Sequence, residues 1–185
     1  MANLNKGEKY LLEMIKRVDE EGFLDENPRP VYESDGTPAH SIAISQMVME
    51  YDISKGEFPI TETRNIAWKS GIQEIRAFYQ EQTNDLDVMR DKYGIKWWDL
   101  WRVEGTNHHG QRYGHTVNRY KLIDKLLDGL VNDPFGRRHI LNLWQEQEFE
   151  EDADSLKPCA FLSMYTVRKC KGKLYLDATL VQRFY

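Results

Sequence analysis

A cysteine, four arginines and one carboxylate stand in this sequence where their chemistry could be used. Cys159 lies in Leu156-Lys157-Pro158-Cys159-Ala160-Phe161, where a proline fixes the backbone ahead of a strand and would hold a thiol at a sheet edge or the mouth of a cleft. A thiol becomes a nucleophile when a nearby cation favours its thiolate. If the C-terminal hairpin brings Arg183 beside Cys159, its guanidinium is such a cation; the competing reading is a small buried hydrophobe, the commoner fate of a free cysteine. Arg29, Arg137, Arg138 and Arg183 all lie beside turns or strand ends of an acidic chain, and planar guanidinium forks suit a phosphate or a carboxylate. Taken singly, each is as well read as a surface arginine balancing the acids. Glu74 falls among apolar residues of a helical stretch, so it is paired, functional, or at a solvated edge of that face. A zinc site is disfavoured, because Cys159 and Cys170 sit at opposite ends of a hairpin and form no compact ligand pair with the histidines. No metal is expected.

Composition bounds the setting of these residues. The 185 residues fit one core of about 100 to 200 residues, so a single domain over 1–185 is expected. With 41% hydrophobic and 12% aromatic residues, disorder is excluded as the dominant state. A net charge of -5 argues against a duplex nucleic-acid partner, which calls for a basic excess. The start MANLNKGEKYLLEMIKR lacks the uncharged core of a signal peptide, and two cysteines are too few for a disulfide scaffold. No run reaches the ~18 apolar residues of a membrane span. A cytoplasmic protein without a membrane partner is the expectation.

The elements that must position the chemistry follow from periodicity. Tyr10, Leu11, Met14, Ile15 and Val18 recur at helical spacing and predict an amphipathic helix over Lys6–Val18, ended by Gly22. Three of the six prolines fall between Asp25 and His40, which predicts a long loop carrying Arg29. Alternation with a phase slip predicts a bulged strand over Ile42–Tyr51. Ile66, Trp68, Ile72, Ile75, Phe78 and Tyr79 predict a largely buried helix over Asn65–Glu81, with a shorter one over Asp85–Lys92. The histidine-rich Glu104–Asn118 reads as an irregular, exposed connection, followed by a helix over Asn118–Val131. Strands are predicted at His139–Trp144, Cys159–Val167 and Lys173–Arg183, with Glu146–Asp154 a solvated loop and Arg168–Gly172 the hairpin turn. The class is α/β or α+β with a mixed sheet.

Placed in order, these pieces resemble thymidylate synthase. The resemblance runs through Asp35-Gly36-Thr37-Pro38-Ala39-His40, Glu74, Trp98-Asp99-Leu100-Trp101, Tyr113-Gly114, Asp133-Pro134-Phe135-Gly136-Arg137-Arg138-His139, Pro158-Cys159 and Gln182-Arg183. The first of these, with an arginine shortly before it, looks like a Bacillus-type branch of the family.

The resemblance implies a three-layer fold whose twisted mixed sheet packs back to back in a homodimer. It implies reductive methylation of dUMP to dTMP, with 5,10-methylenetetrahydrofolate supplying the one-carbon unit and the hydride. By the same resemblance Cys159 adds to C6 of uracil, and Arg183 binds phosphate and helps ionise the thiol. Arg29 is then a second phosphate ligand, while Arg137 and Arg138 reach the phosphate of the partner subunit. Glu74 organises waters for proton transfer, Tyr113 lies near the thiol, Gln182 joins the network, and Trp98, Asp99 and Trp101 form a folate-facing wall.

Departures accompany the match. Ala160 stands where the family often has histidine, and Phe184 where it usually has a phosphate-binding serine. The family's base-reading asparagine would lie beyond Tyr185, so the chain reads as one stopping short, with impaired activity. Two alternatives follow: a pyrimidine nucleotide hydroxymethylase, or a non-catalytic homologue.

Overall fold

The computed structural model describes residues 4–152 and 155–183, which fall into two units divided between Ile66 and Ala67. In the first, α1 (Lys6–Glu21) starts where the Asn5 side chain accepts the Glu8 amide at 2.9 Å. It ends at Gly22, whose amide closes on the Val18 carbonyl. Glu8 itself is buried, and its carboxylate accepts the Thr63 amide at 2.8 Å and the neighbouring Glu62 amide. Strand β1 (Phe23–Leu24) pairs antiparallel with β2 (Ile42–Ala43). The strand expected over Ile42–Tyr51 is thereby cut to its first two residues. Side chains of α1 take the backbone groups a ladder would use: Arg17 donates to the Gln46 carbonyl, and the Glu50 amide donates to the Tyr10 hydroxyl.

The proline-rich loop is more ordered than its composition implies. Val31 bridges Pro38, and the Asp35 carboxylate accepts both the amide (3.0 Å) and the hydroxyl (2.7 Å) of Thr37, an Asx turn. Arg29 is exposed just ahead of that bridge.

In the second unit, α2 (Trp68–Arg76) runs into one π-helical turn, Ala77–Glu81. The expectation of a largely buried helix fails for α2, where Trp68, Ile72 and Ile75 remain about half exposed. The core begins only at Ala77 and Phe78, since the wider turn shifts the phase of the residues after it. After α3 (Leu86–Tyr93), capped by Asp85, a 3₁₀ turn holds Trp97–Trp101. The helix expected over Asn118–Val131 is two helices, α4 (Gly114–Tyr120) and α5 (Leu122–Asn132), separated by Lys121 in the left-handed region. The segment expected to be an exposed connection instead buries His109, Arg112, Tyr113, Thr116 and Val117. The acid-rich stretch expected as a loop forms α6 (Glu146–Glu151), because Phe149 packs inward against Trp144.

Strands β3 (Ile140–Asn142), β4 (Ala160–Cys170) and β5 (Lys173–Gln182) form a sheet in that order, and every pairing among the described residues is antiparallel. Lys171 and Gly172, both at positive φ, make the two-residue turn between β4 and β5. Helices with antiparallel sheets place the unit in the expected α/β class. Its core gathers Phe78, Leu86, Met89, Ile95, Trp98, Tyr113, Val117, Leu141 and Leu143. Phe184, where a phosphate serine was expected, lies outside the described residues.

Helix α4 approaches the end of the π turn closely enough to exclude a side chain at its first residue: a Cβ on Gly114 would stand 2.0 Å from the Thr83 carbonyl oxygen. Gly114→Ala is expected to destabilise the chain by about 1–3 kcal/mol, read as a lower urea midpoint at unchanged slope. A midpoint equal to the parent's would show that the Thr83 backbone yields.

Candidate active site

Tyr113 is the residue from which the site is built. Its backbone sits at φ 50° and ψ −106°, strained for a residue with a Cβ. The conformation is held by packing, since its ring stacks on Phe78 (centroids 4.7 Å, 12° between planes) and meets Trp98 edge-on at 5.4 Å. From that position the hydroxyl oxygen accepts the Cys159 amide at 3.0 Å. Burial pushes the Tyr113 phenol up to about 12, so it stays protonated and can itself donate a hydrogen bond.

Cys159 lies half-buried, immediately before β4. The register of β4 and β5 sets Gln182 opposite Ala160, and the Arg183 amide donates to the Cys159 carbonyl at 3.2 Å. The guanidinium of Arg183 turns back along the chain, donating to the carbonyls of Pro158 (2.9 Å) and Lys157 (3.0 Å) and lying over Trp144. The hairpin therefore brings Arg183 to the cysteine-bearing segment, as its spacing predicted.

On the other side of Tyr113, Glu74 accepts the indole N–H groups of both Trp97 (2.8 Å) and Trp98. This is a paired carboxylate, not a solvated edge. Trp98 is buried against His109 and Tyr113, whereas Trp97 and Trp101 keep 40% and 43% of their surface exposed. Asp99, between them, pairs with Arg90 at 2.8 Å and Arg102 at 3.2 Å. The Arg90 hydrogen bond, followed by the charges of Arg90 and Arg102, holds its carboxyl below the usual range.

One continuous set of contacts thus joins Glu74, Trp98, Tyr113, Cys159 and Arg183. Arg137 and Arg138 are exposed between α5 and β3, and neither guanidinium has a hydrogen-bond or ion-pair partner among the described residues. Arg29 belongs to the first unit and is not among the residues that the second brings together. Among the described residues no group of three or more metal-binding side chains occurs, and no helix among them is long and apolar enough to cross a membrane.

Fold and site define an α/β protein with a thiol at the start of a sheet strand, backed by an aromatic and carboxylate network. The chain belongs to the thymidylate synthase family, whose family model, described as thymidylate synthase, matches residues 8–184. It is 46% identical over 180 residues to a thymidylate synthase of Streptococcus suis (strain 05ZYH33), covering 97% of this chain and 64% of that protein. It is 49% identical over 170 residues to one of Lactococcus lactis subsp. cremoris (strain SK11), covering 91% and 60%. The structure matches the thermostable thymidylate synthase A from Bacillus subtilis with a TM-score of 0.80 at 32% identity, over 93% of this chain and 63% of that one. The chain thus spans less than two thirds of the length of these relatives.

Sequence reasoning missed the polar residues buried behind Tyr113. His109 and Arg112 have no exposed surface, nor has Glu148, which accepts a hydrogen bond from the Thr116 hydroxyl. Only proximity to Tyr113-Gly114 marked His109 and Arg112, and nothing marked Glu148, since charged and histidine-rich stretches read as surface. Burial of His109 among Phe78, Trp98 and Tyr113 depresses its pKa from 6.5 to about 4.

In the unfolded chain His109 takes up its proton near pH 6.5, but in the folded chain only near pH 4. The folded state is thus fully favoured above pH 6.5 and loses stability as pH falls toward 4, by about 3 kcal/mol in all. His109→Leu is expected to flatten that part of the pH–stability curve in urea titrations. An unchanged slope between pH 6.5 and 4 would assign the acid sensitivity to other groups.

Proposed function

We propose that the chain carries the chemistry of its family: reductive methylation of dUMP to dTMP through a covalent adduct on Cys159. The observation that carries this reading is the unbroken contact from the Glu74 carboxylate through Trp98 and Tyr113 to the Cys159 amide. In the proposed step the Cys159 thiolate forms a bond to C6 of the uracil ring, and the C5–C6 π electrons move toward C5 and O4. C5 thereby becomes the nucleophile. Glu74, held by two indole donors, is oriented to pass protons through water to the developing enolate oxygen. Tyr113, protonated and adjacent to the thiol's own amide, offers a hydroxyl beside the reacting carbons.

Methylenetetrahydrofolate would supply the one-carbon unit and the hydride that reduces it. The residues fit such a ligand: the half-exposed indoles of Trp97, which donates to Glu74, and of Trp101, in the same 3₁₀ turn, suit a flat heterocycle. Trp98 supports that wall from behind, and Asp99 fixes its backbone turn through Arg90 and Arg102. Arg183 and Gln182 are proposed for the nucleotide. Arg137 and Arg138, unpaired among the described residues, are proposed to reach the phosphate in a partner subunit of a homodimer. Support for the dimer is the exposed apolar pair Ile140 and Met164, which face each other across β3 and β4.

The test is the intact mass of the purified chain after incubation with 5-fluoro-dUMP and methylenetetrahydrofolate, since fluorine at C5 blocks the final proton loss and traps the adduct. A mass increase equal to both ligands, abolished by Cys159→Ser, is expected. An unshifted mass on a folded chain would overturn the proposal and mark a non-catalytic member of the family.

A further inference from the structure

Arg112 is a guanidinium with no exposed surface and no carboxylate in ion-pair range among the described residues. Backbone carbonyls surround it instead. One terminal nitrogen donates to the Gln111 and Glu148 carbonyls, each at 2.8 Å, and the other to the Asp152 carbonyl at 2.6 Å. Its plane lies 4.7 Å from the centre of the Phe149 ring. These acceptors include the last turn of α6 and the residue that ends it, so the cation is spent on the end of one short helix.

Further contacts hold Asp152, the residue that ends that helix, and Cys159. The Gln111 amide donates to the Asp152 carboxylate at 3.0 Å, and the Asp152 carbonyl also accepts the Ser155 hydroxyl. Four residues further along, the Cys159 amide donates to Tyr113, the immediate neighbour of Arg112. Two consecutive residues therefore make contacts at two points of the chain, Arg112 at Asp152 and Tyr113 at Cys159. Tyr113 is strained in φ, and the Arg112 contacts add to the ring packing that holds it there.

We propose that Arg112 is a positioning residue for Cys159: its hold on the Glu148 and Asp152 carbonyls fixes the backbone of its neighbour Tyr113, and so the place at which the Tyr113 hydroxyl takes the Cys159 amide and the thiol is presented. This rests on the reading of Cys159 as nucleophile. A lysine at this position keeps the charge but cannot serve separate carbonyls and an aromatic face together.

The test compares Arg112→Lys and Arg112→Gln with the parent chain by iodoacetamide labelling across pH, with Cys159 and Cys170 read separately by peptide mass mapping. Cys170, exposed at the hairpin tip, is the internal standard. At unchanged circular dichroism, the Cys159 to Cys170 rate ratio is expected to rise about tenfold in Arg112→Gln as the segment opens, and less in Arg112→Lys. Adduct formation with 5-fluoro-dUMP and methylenetetrahydrofolate is expected to slow by about a hundredfold. Arg119→Gln, which removes the cation paired with Glu151 on the outside of α6, is expected to leave the labelling ratio unchanged. An unchanged ratio in both Arg112 variants would overturn the proposal. An equal rise in Arg119→Gln, or failure of both Arg112 variants to fold, would also overturn it by assigning Arg112 to stability alone. Labelling needs no nucleotide, so a parent chain that forms no adduct sinks the functional reading and leaves this test standing.

Discussion

The hydrogen bond from the Cys159 amide to the Tyr113 hydroxyl is the constraint on which the second unit turns. Tyr113 belongs to the hydrophobic core through Phe78 and Trp98, and to the sheet through Cys159. A core side chain thereby sets where β4 begins. Because the amide lies at the start of a ladder, its alternative partner would be a strand or water. A tyrosine supplies a buried acceptor there without exposing the thiol's backbone to solvent. The strained Tyr113 backbone and the close approach of Gly114 to Thr83 are consequences of bringing one ring into the core and its hydroxyl out to the sheet.

Behind that bond lies an electrostatic problem: Arg112 and Glu148 have no exposed surface in a chain with a modest excess of acid. Each is partnered in part by oriented groups: the terminal nitrogens of Arg112 and one oxygen of Glu148 are hydrogen-bonded, while Arg112 Nε and Glu148 Oε1 have no hydrogen-bond partner among the described residues. Arg112 faces carbonyls, while Glu148 accepts the Thr116 hydroxyl and lies 4.0 Å from Arg119. Burial raises the carboxyl pKa of Glu148 and lowers the guanidinium pKa of Arg112, the directions desolvation imposes on an acid and a base. The contacts between α4 and α6 are thus polar, Thr116 with Glu148 and Arg119 with Glu151, while Phe149 packs on Trp144 and the Arg112 guanidinium.

The sequence was legible where a single periodicity governed. Helix α1, the short α3 and the β4–β5 hairpin lie where their spacing put them, and the turn at Gly172 was signalled by its glycine. Legibility failed where one element's groups were satisfied by another. Nothing within Ile42–Tyr51 shows that Arg17 and Tyr10 take its backbone partners, so alternation alone read as a strand. Lys121 gives no composition signal for a left-handed residue, and two helices read as one. Arg183 beside Cys159 followed from hairpin register, a local rule. The pairing of Glu74 with Trp97 and Trp98 crosses 23 and 24 residues; the resemblance had named Glu74 and Trp98 but not Trp97, and no local pattern joins them.

The 3₁₀ turn Trp97–Trp101 shows how one short element serves core and surface together. Successive side chains of such a turn point in different directions, so Trp98 enters the core while its neighbour Trp97 remains half exposed, and Trp101, one turn beyond Trp98, is half exposed at the end of the element. Such a turn is weak by itself, with poor hydrogen-bond geometry, and would not hold exposed aromatic rings in one place. Here both faces are pinned: Glu74 takes the two indole N–H groups on one side, and Arg90 and Arg102 take Asp99 on the other. Arg102 extends the hold to Asn107, which in turn donates to Asp87 at the start of α3. An exposed aromatic wall is thereby ordered before anything binds to it, and the entropy of arranging those rings is met by folding and not by association.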